Sequence, residues 1–147
     1  MKSARRRARE GLVQGLYQWQ LTGHEAPAIL GHIVSQEHFS RADQTYFAEL
    51  LPAIMTESAA LDEALRPFLV DREPTAVSPI ERAILWIAAF ELRHRSETPF
   101  RVIINEAVEL AKVFGGTDGH KYVNGVLDRL AAQERPEEIN TRTRGRG

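Results

Sequence analysis

The sequence predicts an all-α fold, and three observations predict it. Apolar residues recur at three- and four-residue spacing along most of the chain. Helix boundaries are punctuated, with Ser3, Pro27, Ser78-Pro79 and Pro99 at starts and Thr22-Gly23 and Gly115-Gly116 at ends. No stretch shows the apolar–polar alternation of a half-buried strand. The expected architecture is a compact bundle of two packed helical halves, with about six to seven helices. A single domain is expected over residues 1–133, with halves at 3–66 and 78–132. Residues 134–147 are expected to form a flexible tail.

The first helix is read from Ser3 to Leu21, with Ser3 as N-cap. At about 100° per residue, Ala8, Leu12, Leu16 and Trp19 share one face. Arg5 and Arg9 lie on that face one and two turns earlier, which implies that the first turns overhang the core. Arg6 and Arg7 point to other sides, so cations surround the helix end. Tyr17 sits off the stripe, either as a boundary packing residue or as an aromatic offered to a partner. Thr22-Gly23 ends the helix.

Pro27 fits a first turn, and Ile29, Leu30, Ile33 and Val34 give a short second helix. Ser40 can cap a third, which carries Tyr46, Phe47, Leu50, Leu51, Ile54, Met55, Leu61 and Leu65. Pro52 falls inside it and predicts a kink or a break. Pro67 and Pro74 mark residues 67–78 as the boundary between the halves.

Ser78-Pro79-Ile80-Glu81 opens the second half as a capping box, a sufficient structural reason for Glu81. Eight apolar residues follow, Ala83 to Phe90, so this helix is central and buried. Glu91 is expected near its end with an arginine or backbone partner, because a lone buried carboxylate is costly. Pro99 starts the next helix, with Ile103, Ala107, Leu110, Ala111 and Phe114 inward. Gly115-Gly116 stops it. Thr117 or Asp118 can cap the last helix, in which Val123, Val126, Leu127 and Leu130 face inward. Lys121 points away from that stripe and Tyr122 sits at its edge.

The chain of 147 residues is 43% hydrophobic and 27% charged, as expected of a globular domain. It has no cysteine, which excludes disulfides, thiolate metal sites and a cysteine nucleophile. No apolar h-region follows the N-terminal charges, so no signal peptide is expected. No apolar run approaches the roughly 20 residues that span a bilayer. The net charge of -1 hides an asymmetry. Residues 1–10 carry Lys2, Arg5, Arg6, Arg7 and Arg9 against Glu10, a net +4, and residues 134–147 carry +1, which leaves -6 for the middle. A basic head on an acidic body suits an anionic partner, with nucleic acid first and anionic membrane second. The plainer reading is a solubilising terminus. A membrane role is disfavoured because the arginine segment has no apolar face of its own.

Catalytic patterns are absent. Gly115 to Lys121 has the glycines and lysine of a phosphate loop, but Gly119 and Lys121 are not adjacent, no Ser or Thr follows, and a helix precedes it. The five histidines show no paired spacing with carboxylates, so no metal or other cofactor is expected. Glu106 and Glu109 are three apart on a helix, an arrangement more typical of a solvated face than of acid–base chemistry. The sequence favours a binding protein over an enzyme.

Several segments carry a resemblance. Arg5-Arg6-Arg7-Ala8-Arg9-Glu10 followed by Gln14-Gly15-Leu16-Tyr17 resembles the start of the NusB transcription antitermination factors. Glu81-Arg82-Ala83-Ile84-Leu85, Glu91-Leu92, Pro99 and Ile104-Asn105-Glu106-Ala107-Val108-Glu109-Leu110-Ala111-Lys112 fit the same family. Lys121-Tyr122-Val123-Asn124-Gly125-Val126-Leu127-Asp128 is its most specific signature. The likeness runs in order from about residue 3 to residue 131.

The resemblance implies a NusB-like helical fold in a bacterial cytoplasmic protein without catalysis or cofactor. It implies binding to single-stranded boxA RNA of ribosomal-RNA operon transcripts together with NusE, the ribosomal protein that doubles as a transcription factor. The pair then joins the elongating RNA polymerase and helps it resist termination. By position, Lys2, Arg5, Arg6, Arg7 and Arg9 would bind RNA, with Asp118, Lys121 and Tyr122. Tyr17 and Glu81 would face NusE. Tyr122 stands where the family suggests phenylalanine, which keeps a stacking face. Asp118 would repel phosphate, so its first role is capping and its second a base contact. Members occur as monomers and as homodimers. Cations at the positive end of a helix are unfavourable, so the head is expected to fray in the free protein and order on RNA. Two other readings remain. One is a NusB-like protein-interaction module without specific RNA binding. The other is the NusB-like part of an RNA methyltransferase, for which no cofactor-binding glycine motif appears.

Overall fold

The computed structural model describes residues 2–70 and 72–144. Among them are seven α-helices, three short 3-10 turns and no strand. The chain divides into two compact units, Met1–Ala60 and Leu61–Gly147.

The first unit holds α1 (Ala4–Thr22), α2 (Ala26–Val34), a 3-10 turn (Glu37–Arg41) and most of α3 (Gln44–Leu65). Ser3 caps α1 by accepting from the Arg6 N–H, and Gly23 closes it in the left-handed conformation. α1, α2 and the turn pack on one another. Leu12, Leu16, Ile29, Ile33, Phe47, Leu50 and Leu51 are buried there. Phe39 sits over Gly11, where a Cβ would come within 2.5 Å of its ring, and meets Phe47 edge-on with centroids 4.8 Å apart. Glycine at this position of α1 is therefore what lets the turn approach so closely.

Two expectations for α3 are corrected. Ser40 lies within the 3-10 turn, and the cap is Asp43, whose carboxylate accepts the Tyr46 N–H at 3.1 Å. Of the kink or break expected at Pro52, the break is overturned, because the helix runs unbroken from Gln44 to Leu65. The carbonyl that Pro52 leaves unbonded belongs to Ala48, an exposed residue, so water can satisfy it. Buried Phe47, Leu50, Leu51 and Ile54 hold the turns on either side.

The second unit holds the last turn of α3, then α4 (Pro79–His94), α5 (Phe100–Phe114), α6 (Gly119–Glu134) and α7 (Pro136–Arg144). α4, α5 and α6 pack pairwise on one another, and α4 is buried from Ala83 to Leu92, as its unbroken apolar run requires. Asp62 ties α3 to α4. Its carboxylate accepts from the Arg82 guanidinium at 2.5 Å and from the Trp86 indole N–H at 2.8 Å. Residues 67–78 are not a linker between the units. Their 3-10 turns, Arg66–Phe68 and Pro74–Ala76, belong to the second unit, with Leu69 and Val77 buried and the first turn packed on α6.

The stretch expected as a tail carries a helix as far as residue 144, and residues 145–147 lie outside the described residues. Pro136 opens α7, and Glu137 and Glu138 stand in its first turn, where a helix favours acids. Arg135 anchors it. Its guanidinium donates to the backbone carbonyls of Leu92, Glu91, Arg95 and Thr98 and to the Glu138 carboxylate. Glu138 also accepts the Phe100 N–H at 2.9 Å. Composition rich in proline, glutamate and arginine here encodes a helix start and a cap on the end of α4. Glu91 is buried near that end, as expected.

Candidate nucleic-acid interface

The basic head is the first turns of α1. Lys2 reaches Glu10 at 2.8 Å. Arg5 pairs with Asp43 at 3.3 Å, and its guanidinium carbon lies 3.8 Å from the Tyr46 ring centroid. Arg9 is only 4% exposed and lies 5.9 Å from the same ring. Arg6 and Arg7 are half-buried. This corrects the overhanging helix start, because Arg9 is buried and Arg5 is held by Asp43 and Tyr46. The Ser3 cap takes up one free N–H of the helix end. The Ala4 carbonyl accepts the Asp43 N–H at 2.9 Å. Cation–π contact of two arginines with one tyrosine ties down the face that the sequence alone leaves unsupported.

Among the described residues, Arg7 differs from Lys2 and Arg5 in having no carboxylate partner. It lines a cavity of about 470 Å³ with Glu37, His38, Ser40 and Arg41. Of these five, only Arg7 was legible as a site residue. The other four stand in a stretch whose sequence signals only a helix start.

In the second unit, the predicted residues gather at the start of α6. Asp118 occupies the N-cap position, but its side chain makes no capping hydrogen bond. The carboxylate instead lies 3.5 Å from the Lys121 amine, and both side chains are about three-quarters exposed. Capping is thus not what the Asp118 carboxylate does. Tyr122 is half-buried, and the Arg72 guanidinium lies 4.7 Å from its ring centroid. Its hydroxyl is buried with no hydrogen-bond partner among the described residues. Burial pushes the Tyr122 hydroxyl above the usual tyrosine value, with Arg72 pulling it down and Glu81 pushing it further up. Arg72 was read only as part of a connector, and no spacing rule marks it. Its place over Tyr122 depends on the fold.

Glu81 closes the Ser78 cap. Its backbone N–H donates to Ser78 Oγ at 3.2 Å, and its carboxylate accepts the Ser78 hydroxyl at 2.5 Å. Its side chain also lies against the start of α6, since a Cβ on Gly119 would stand 2.8 Å from Glu81 Oε1. Glu81 is therefore a structural link between α4 and the Asp118–Tyr122 turn. Tyr17, in the first unit, is 38% exposed, and Leu21 one turn later is also exposed. Among the described residues, no three His, Asp or Glu side chains gather to hold a metal ion. Among the described residues, no helix is long and apolar enough to cross a membrane.

The sequence model of the NusB family matches residues 6–132. The transcription antitermination protein NusB of Burkholderia lata is 53% identical over 144 residues, covering 98% of this chain and 99% of that protein. Its namesake from Ralstonia nicotianae is 51% identical over 141 residues, covering 96% and 90%. The solved structure of T. maritima NusB in a P3121 form superposes with a TM-score of 0.83 at 27% identity, covering 95% of this chain and 99% of that one.

Proposed function

The chain belongs to the NusB family, and from that premise we propose that it is a bacterial transcription antitermination factor. It binds boxA RNA of ribosomal-RNA operon transcripts together with NusE and acts on the elongating RNA polymerase in the cytoplasm. It does so as a binding protein, without catalysis or cofactor.

The observation that carries the RNA reading is the start of α6. An exposed Lys121 stands next to a tyrosine ring already faced by an arginine. Single-stranded RNA is bound by this combination, with cations on phosphates and π-faces on bases. A base stacks on Tyr122 with Arg72 opposite, Lys121 takes a phosphate, and Asp118 accepts from a base edge. In the first unit, Lys2, Arg5, Arg6 and Arg7 supply the charge that meets phosphates. Arg9 contributes by holding the helix start, since burial keeps it from a ligand. Tyr17 and Glu81 serve the NusE contact, with Leu21 extending the apolar patch at Tyr17.

A gel shift with boxA and scrambled RNA, with and without NusE, tests this. The expected result is preference for boxA, sharpened by NusE. Tyr122→Ala should weaken boxA binding while the helical circular dichroism stays intact. Equal affinity for both RNAs would sink the antitermination reading and leave a basic surface that binds any RNA. Binding of NusE without either RNA would support the protein-interaction module, which the exposed Tyr17–Leu21 patch favours. For Glu81→Ala, a fall in stability matching the fall in NusE binding would assign Glu81 to the cap alone.

A further inference from the structure

We propose that the cavity between the start of α1 and the 3-10 turn Glu37–Arg41 is a ribonucleotide site, in which Arg7 and Arg41 hold one phosphodiester of the RNA strand and Glu37 accepts the ribose 2′-hydroxyl. This rests on the RNA-binding reading and adds to it a site that the arginine head alone does not define.

The cavity is lined by Arg7, Glu37, His38, Ser40 and Arg41. Its volume of about 470 Å³ falls within the roughly 300–1,000 Å³ of sites that take small ligands. Its walls are fixed from below. Gly11 stands one turn after Arg7 on α1, and Phe39 packs on Gly11. Phe39 is buried, whereas its neighbours His38 and Ser40 are exposed, so the turn presents them beside Arg7.

The charge balance identifies the ligand class. Arg7 and Arg41 have no carboxylate partner among the described residues, in contrast to Lys2 and Arg5. Two arginines lining one cavity offer the planar, bidentate group that recognises a phosphate. Ser40 adds a hydroxyl donor and His38 a ring nitrogen. Glu37 is the one anionic group in the lining, and a bare phosphate would gain nothing from it. A nucleotide does, because a ribose 2′-hydroxyl can donate to that carboxylate, and this hydroxyl separates RNA from DNA. The lining thus combines a cationic part for the backbone with an acceptor for the sugar.

The test is fluorescence anisotropy of the full chain with three labelled strands: boxA RNA, a scrambled RNA of equal length, and the DNA version of boxA. Each is titrated from low to high salt. Arg41 is exposed and makes no ion pair among the described residues, so Arg41→Ala should fold as the parent does. It should weaken both RNAs about five- to tenfold and make the slope of log affinity against log salt shallower by about 0.7. Glu37→Ala should raise DNA affinity relative to RNA, narrowing the gap between them at least twofold. Unchanged affinity and slope in Arg41→Ala, with the parent binding RNA, would overturn the cavity and leave the family reading intact. An unchanged RNA-to-DNA ratio in Glu37→Ala would overturn the ribose contact. A parent that binds scrambled RNA as well as boxA would overturn the boxA reading, yet a slope change in Arg41→Ala would still support the cavity. A parent that binds no strand would overturn both.

Discussion

Replacing Arg135 tests how the second unit closes. Arg135 was expected in a flexible tail, yet its side chain is 9% exposed and donates five hydrogen bonds. Four go to backbone carbonyls around the end of α4 and the start of α5, at 2.7 to 3.2 Å, and the fifth to Glu138 at 2.7 Å. A hydrogen bond involving a charged group contributes ~1.5–3 kcal/mol, but the five share one guanidinium and water can reach some of the vacated carbonyls. The cationic group also complements the negative end of α4 by up to ~1 kcal/mol. Arg135→Ala should therefore cost about 3–4 kcal/mol, a large share of the ~5–15 kcal/mol typical of a domain. Urea unfolding followed by circular dichroism measures it. With an m-value of ~2 kcal/mol/M, the midpoint should fall by about 1.5–2 M. Arg135→Lys keeps the charge but has no planar fork, so it should recover less than half of the loss. Amide exchange at Phe100, whose N–H donates to Glu138, should accelerate in the alanine variant before global unfolding. A loss below about 1 kcal/mol, or full recovery by lysine, would refute the claim that the fork organises this end.

Three further outcomes follow from the packing around α4 and α6. Gly119→Ala sets a methyl against Glu81 Oε1, the end of a flexible side chain, so the carboxylate should swing off the Ser78 hydroxyl and urea unfolding should change by no more than ~1 kcal/mol, the weakened cap offset by the helix gain of alanine over glycine. Asp62→Ala strands Arg82 and the Trp86 N–H and should cost about 2–4 kcal/mol in urea unfolding, whereas Asp62→Asn should cost less because it still accepts from the indole. Tyr122→Phe removes a buried, unpartnered hydroxyl and should leave stability unchanged or raise it by up to about 1 kcal/mol, while retaining RNA binding. Its effect should also depend on pH. The folded protein holds the Tyr122 proton more tightly than the unfolded chain does, so this contribution is complete below the unfolded value of ~10 and is lost as pH rises through it toward the folded value. Urea midpoints at pH 9 and 11 should show the parent losing more than Tyr122→Phe.

Tyr122 separates what spacing discloses from what only the fold supplies. A ring at the edge of an inward stripe was legible from spacing alone. The arginine over the ring was not, because it comes from fifty positions away in sequence.

The sequence by itself determined the helices, because local patterns encode them. Ser3 and Ser78 cap where their positions suggest, α4 is buried where its apolar run is unbroken, and the stripes of α5 and α6 face inward. It also carried the family in its motifs. Tertiary structure alone decided which polar groups are occupied. Arg9 reads as a free cation and is buried against Tyr46, and Pro52 reads as a breaker and sits in an unbroken helix. Asp118 reads as a cap and faces Lys121, and Arg135 reads as tail and holds the end of α4. Arg9 and the carbonyls around the end of α4 have partners more than thirty positions away in sequence, and helix periodicity, a property of near neighbours, cannot name such partners. Asp118 has a partner only three residues on, and packed neighbours hold the helix around Pro52.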